Sequence, residues 1–170
     1  MNAPNPQNKE AAVRPHLLKK GDGIVVAEVG CICVAVWRKD STRTRFVLQR
    51  AGLDTVVAKY PGKAGFLCVV EPTSGPPNED VRKASSKLFE SHGRNLCAIA
   101  MIIEGTGFRS ALVRSVASGI VMLMGSRNTP ISYFATVEAG AKWLQQHVEI
   151  SSIPTFKMQV EQVRALLEPL

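Results

Sequence analysis

Two glutamates carry the first chemical possibility in this 170-residue chain. Glu71 and Glu104 each follow an apolar run, 66–70 and Leu96–Ile103, so both belong at the ends of buried strands. The carboxyl edge of an α/β sheet is where sites usually form, and two carboxylates there suit general acid–base work. The same pair is open to ion pairing with Arg109 or Arg114, and that structural reading is preferred. Nucleophilic catalysis would need Ser or Cys beside a His and an orienting carboxylate. The three histidines are scattered: His16 precedes the first apolar run, and His92 and His147 stand near helix ends, where a cation favours the dipole. No Gly-x-Ser-x-Gly elbow occurs, since Ala117-Ser118-Gly119 lies inside a predicted helix. Gly105-Thr106-Gly107 lies between a strand and a helix, but Ser110 stands where a dinucleotide fingerprint requires its third Gly. A tight turn using the permissive φ of Gly is the preferred reading. The expectation is therefore no catalytic residue, no cofactor and no enzyme.

The four cysteines, Cys31, Cys33, Cys68 and Cys97, all sit in apolar β-like runs, where Cys behaves as a small hydrophobe. Cys31 and Cys33 are two apart and would share one strand face. A zinc site would need paired ligand clusters in turns, so no metal is expected. The net charge is +7, from 21 Lys and Arg against 14 Asp and Glu. These charges form no run of five or six and are not interleaved with aromatics, so no nucleic-acid partner is expected. The 45% hydrophobic content is that of a globular chain. Residues 1–7 lack the apolar core of a signal peptide, and the apolar stretches are far shorter than the ~20 residues that span a bilayer. A cytoplasmic protein without a membrane span is expected.

The elements that must position these residues follow from periodicity. Residues 1–21 read as a flexible leader. Strands are predicted at Ile24–Val29 and 31–37, with Gly30 between them implying a bulge or a shifted boundary. Ser41 or Thr42 caps an amphipathic helix over 43–60, where Phe46, Leu53, Val56, Val57 and Tyr60 recur at helical spacing with Gln49 among the intervening polar residues. A buried strand at 66–70 precedes a loop of turn formers, Thr73 to Pro77. Asn78 caps the next helix, closed at His92-Gly93. Leu96–Ile103 is a second buried strand, and 131–135 is a last one. Thr136 caps a helix reaching Val148, and Pro154 separates a helical tail, 151–170, placed outside the core. The predicted fold is α/β: a mixed sheet of about five strands with an antiparallel N-terminal pair, four amphipathic helices, and one domain over 22–150.

A helix over 108–124 stands apart from the others. Leu112, Val113, Val116, Ile120, Val121, Leu123 and Met124 wrap much of its circumference, while Ala111, Ser115, Ser118 and Gly119 are small residues three and four apart. Met101, Met122 and Met124 add adaptable apolar surface. A helix this apolar needs cover on more than one side. Either it is a core helix, or Ala111, Ser115, Ser118, Gly119 and Met122 mark a homodimer face or a groove for a partner helix or acyl chain.

The element order, with a four-turn last helix after a short strand, resembles the STAS domain and its SpoIIAA-like relatives over roughly 23–148. The closest likeness is the segment Ile131 to Leu144, a strand carrying an aromatic, a capping Thr136, and a helix ending in Trp143-Leu144. The resemblance implies a regulatory or scaffold module that binds protein, possibly as a homodimer. Its SpoIIAA-like branch implies instead a carrier of a small hydrophobic ligand. An enzyme using Glu71 and Glu104 is the third possibility. In antagonist members a Ser or Thr is phosphorylated after the third strand, and Thr73-Ser74 holds that place here. The chain departs from the Asp-Ser-Ser-Gly pattern, and Pro76-Pro77 interrupts the approach to the helix.

Overall fold

The structure, a computed structural model, describes residues 14–107, 111, 115 and 129–167. Six strands form one sheet in sequential order: β1 (His16–Gly21), β2 (Ile24–Val29), β3 (Ile32–Trp37), β4 (Ala64–Val70), β5 (Leu96–Ile103) and β6 (Ile131–Phe134). β1, β2 and β3 run antiparallel, and β3 through β6 run parallel. The described helices are α1 (Arg43–Lys59), α2 (Glu79–His92), α3 (Val137–Leu144) and α4 (Ile153–Arg164). The expected α/β class and mixed sheet hold. Among these residues no helix is long and apolar enough to cross a membrane.

Two short turns set the antiparallel half. Gly30 has φ +60°, which fits the first central position of a type II′ turn, and Val29 pairs directly with Ile32. The tight link between the strands is thus a two-residue hairpin with β3 starting one residue later than expected, not a bulge. Gly23, at φ +74°, closes the other hairpin between Gly21 and Ile24. That hairpin corrects the leader: residues 16–21 are a sixth, edge strand, largely exposed on its own account. Its lysines, Lys19 and Lys20, are what an edge strand carries against further pairing, and they make it read as a polar tail.

β2 is buried along its whole length, as is β3, and β4 and β5 nearly so. Strands apolar on both sides need cover on both sides. α1 and α2 supply one layer, setting Phe46, Leu53, Val56, Leu88 and Phe89 on Val26, Ala35, Phe66 and Ile99. α3 and α4 supply the other, setting Ala141, Leu144, Phe156, Val160 and Val163 on Ala27, Val34, Leu67 and Ile102. This corrects the tail: α4 begins at Ile153 and belongs to the core, because without it the second face of β2 and β3 would lie bare. α3 is also shorter than expected, eight residues where four turns were anticipated. Each described helix starts from a side-chain cap, Thr42, Asn78, Thr136 and Ser152, accepting from the backbone N–H three residues on.

Close packing between layers leaves a testable mark at Gly52. A Cβ there would run into Val26 Cγ1, with Val26 Cβ at 3.1 Å. Overpacking of this kind costs about 1–3 kcal/mol, against about 1 kcal/mol regained from the helix preference of Ala. Gly52→Ala is therefore expected to lower the urea midpoint. In the Gly52→Ala/Val26→Ala double variant the loss should be smaller than the sum of the single losses.

Candidate functional site

Three neighbouring parallel strands end in charged residues on the same edge: β3 in Arg38, β4 in Glu71, and β5 in Glu104. The backbone ladder extends into them, with the Glu71 N–H donating to Trp37 O (2.8 Å) and the Glu104 N–H to Val70 O (3.0 Å). The last turn of α4 brings Arg164 over this edge. Arg164 Nη1 donates to Glu71 Oε1 at 2.8 Å and to Glu104 Oε2 at 2.9 Å, and Nη2 donates to Glu104 Oε1 at 2.8 Å. Arg38 holds Glu71 from the other side through Nε (2.7 Å) and Nη2 (3.1 Å), and its Nη1 reaches Leu167 O (3.3 Å). The result is a partly buried network in which one guanidinium bridges both carboxylates.

Burial pushes the Glu71 carboxyl up, but hydrogen bonds from Arg38 and Arg164 outweigh it and hold it below its ordinary value of 4.5. Burial lowers Arg164, and its bonds to Glu104 and Glu71 more than reverse that, so it stays charged throughout. A general base needs a lone pair free for the substrate proton. Glu71 spends its oxygens on guanidinium donors, and Glu104 receives two of the Arg164 bonds. The anticipated ion pairing holds in kind, and the partners among the described residues are Arg38 and Arg164. Arg109 and Arg114 lie outside the described residues.

The loop after β4 is stitched to the loop after β3. Thr73 Oγ1 donates to Arg38 O (2.5 Å), Ser74 Oγ donates to Lys39 O (3.1 Å), and the Gly75 N–H donates to Asp40 Oδ1 (2.6 Å). Ser74 is 2% exposed, whereas Thr73 faces solvent. The two therefore differ in reach, and α2 begins only at Glu79, so neither stands at its N-terminus. Gly105 and Gly107 both have φ +91°, the conformation a tight turn asks of Gly. Just beyond, the Ala111 N–H donates to Gly107 O (3.1 Å), and Ala111 and Ser115 are helical and exposed. Ser118, Gly119 and Met122 lie outside the described residues, as does most of 108–128.

His92 pairs with Asp54 at 2.6 Å, and the His147 ring lies 4.7 Å from that of Trp143. Cys31 and Cys33 do not share a face. Cys33 is buried under α1 and α2, while Cys31, a turn residue, is half-buried against the other cluster. Among the described residues no three His, Cys, Asp or Glu side chains gather to hold a metal ion. At the amino edge, a groove of about 920 Å³ runs past Cys31, Cys97, Lys63, His147 and Glu149.

One residue escaped the sequence reading. Gln49, counted among the polar positions between the apolar ones of α1, is 4% exposed. It accepts a hydrogen bond from Trp37 Nε1 at 2.7 Å. It lines a cavity of about 70 Å³ between α1, α2 and the sheet, with Trp37, Phe46, Phe89, Met101 and Tyr133. Its place in the helix, three residues after Phe46 and four before Leu53, was the available signal.

These features define a three-layer α/β/α domain with a self-neutralised carboxyl edge. Set against protein-family models, curated proteins and solved structures, the chain finds no match.

Two outcomes follow from this geometry. Arg164→Ala removes the guanidinium that bridges two partly buried carboxylates and leaves Glu71 to Arg38; the loss should fall below the about 3–5 kcal/mol of a fully buried pair, readable as a fall in the denaturant midpoint at pH 7. Because Glu71 titrates lower when folded than when unfolded, its contribution is present above the unfolded value near 4.5 and lost as pH falls through the folded value. Stability measured from pH 6 down to pH 3 should fall less steeply in Arg164→Ala than in the wild type. The thiols should also separate. Burial pushes Cys68 up to about 12 and raises Cys33 further, while Cys31 and Cys97 are partly exposed. A disulfide reagent at pH 8 should label at most two thiols in the native protein and four after unfolding.

Proposed function

We propose that the chain is a non-enzymatic, STAS-like regulatory or scaffold module that binds protein, including a second copy of itself. The observation that carries this reading is the Arg38–Glu71–Arg164–Glu104 network. At the edge where an α/β enzyme displays its reactive groups, the two carboxylates are engaged by arginines of the same chain. Ala111 and Ser115 support a surface role. They lie one helical turn apart, on one face, and both are exposed. Small side chains in that position let another backbone approach closely. Regulation through the loop after β4 would use Thr73, an exposed residue; phosphate there would break its hydroxyl's bond to Arg38 O and add about two negative charges beside the Arg38-Lys39 turn. The second reading, a carrier of a small hydrophobic ligand, is favoured by the cavity around Gln49.

Self-association is tested by sedimentation equilibrium on the full chain over a hundredfold range of concentration. Ala111→Arg and Ser115→Arg change exposed positions, so their melting temperatures should stay within a degree or two of the wild type. The wild type should be dimeric at the upper end of the range and both variants monomeric. A wild type that stays monomeric throughout, or variants that associate as strongly as it does, rejects the reading.

A further inference from the structure

Gln49 presents an unusual combination of burial and incomplete hydrogen bonding. Its Oε1 accepts from Trp37 Nε1 at 2.7 Å and from Cys68 Sγ at 3.9 Å. An indole N–H can only donate, so the amide oxygen is fixed toward Trp37 and the NH₂ group is turned the other way. That NH₂ has no hydrogen-bond partner among the described residues, although Gln49 is only 4% exposed. Buried donors are nearly always paired, and one that is not calls for an explanation. The residue lines the cavity between α1, α2 and the sheet, which supplies the missing space.

The lining narrows what belongs there. Trp37, Phe46, Phe89 and Tyr133 offer ring faces and edges, and Met101 and Cys68 offer polarizable sulfur. Besides Gln49 and Tyr133, the described lining includes the half-buried hydroxyls of Ser41 and Ser85. No Lys, Arg, His, Asp or Glu is among its described lining residues. Against these described residues a carboxylate or ammonium would meet no counter-charge, which is strongly unfavourable. A neutral carbonyl oxygen accepts from an amide N–H without that penalty. The cavity volume, about 70 Å³, is roughly half of the ~150 Å³ that houses a benzene ring in an engineered apolar cavity. A guest would therefore seat one end inside and leave the rest toward the opening near Ser41, Gly75 and Ser85.

We infer that the cleft between α1, α2 and the sheet is a binding site for a small, neutral, largely apolar molecule bearing a carbonyl group, with Gln49 Nε2 as the donor that orients it. The site is independent of self-association. It deepens the carrier reading by naming the polar handle.

The test uses ¹⁵N-labelled full-length protein titrated with acetophenone and, separately, with ethylbenzene, which has nearly the same shape but no carbonyl. Acetophenone should produce saturable shifts of the Gln49 side-chain amide and the Trp37 indole resonances. One neutral hydrogen bond should make it bind about three- to tenfold tighter than ethylbenzene. Gln49→Met should bring the two affinities together, and Ser85→Phe, at the half-buried rim, should abolish binding of both. Absence of saturable shifts, as when the cleft holds water alone, overturns the inference. So does equal affinity of the wild type for the two probes, or binding that survives Ser85→Phe unchanged. If Gln49→Met fails to fold, the wild-type ratio and the rim variant still decide the matter.

Discussion

The fold depends on a sheet that has no wet face. From β2 through β5 nearly every side chain is removed from water, on both sides of the sheet. Burial of that apolar area is the main driving force available to a domain of this size, and it sets a demand that one helical layer cannot meet. α1 and α2, as crossovers between parallel strands, cover one face. The other face has no crossover among the described elements and must be covered by chain that follows β6. α3 and α4 do this, and Leu167 carries the apolar stripe to the end of the described residues.

A helix recruited to a flat apolar face by hydrophobic contact alone has little to fix its position along that face. Arg164 resolves this. Its guanidinium is planar and reaches two carboxylates at once, so the last turn of α4 can take only one position over the ends of β4 and β5. Arg38 reinforces it by contacting both Glu71 and the Leu167 carbonyl, tying the chain just after α4 to the end of β3. Buried ion pairs contribute little net stability compared with apolar packing, and fixing one register is their best-attested use. The same bonds occupy oxygens of both carboxylates at the carboxyl edge.

How much of this could be read from the residues depended on whether a signal was local. α1, α2, β4 and β5 announce themselves through caps, period and flanking turn residues, and they stand within two residues of where the pattern puts them. β1 does not, because an edge strand is polar by necessity; yet Asp22-Gly23, a strong hairpin dipeptide, was present in the sequence. α4 was recognised as a helix and misplaced, since nothing within 151–170 states which distant surface it will cover. The described partner that Glu71 and Glu104 share was not anticipated, for the same reason. Arg164 lies 93 and 60 residues away in sequence, and only the arrangement of the layers makes it their neighbour.

Gln49 is the instructive exception, because there the local pattern and the tertiary structure disagree. It occupies an inward position of α1, where propensity is satisfied and polarity is not. Packing alone would prefer an apolar side chain of the same length, such as Met. A glutamine kept there must place a carbonyl and an amide in a region with few partners, and Trp37 answers only the carbonyl. Local rules are broken where function imposes its own requirement more often than in an ordinary core. The proposed binding site rests on the unanswered half of the Gln49 amide: a void left by imperfect packing needs no oriented donor, whereas a binding site that discriminates between ligands does.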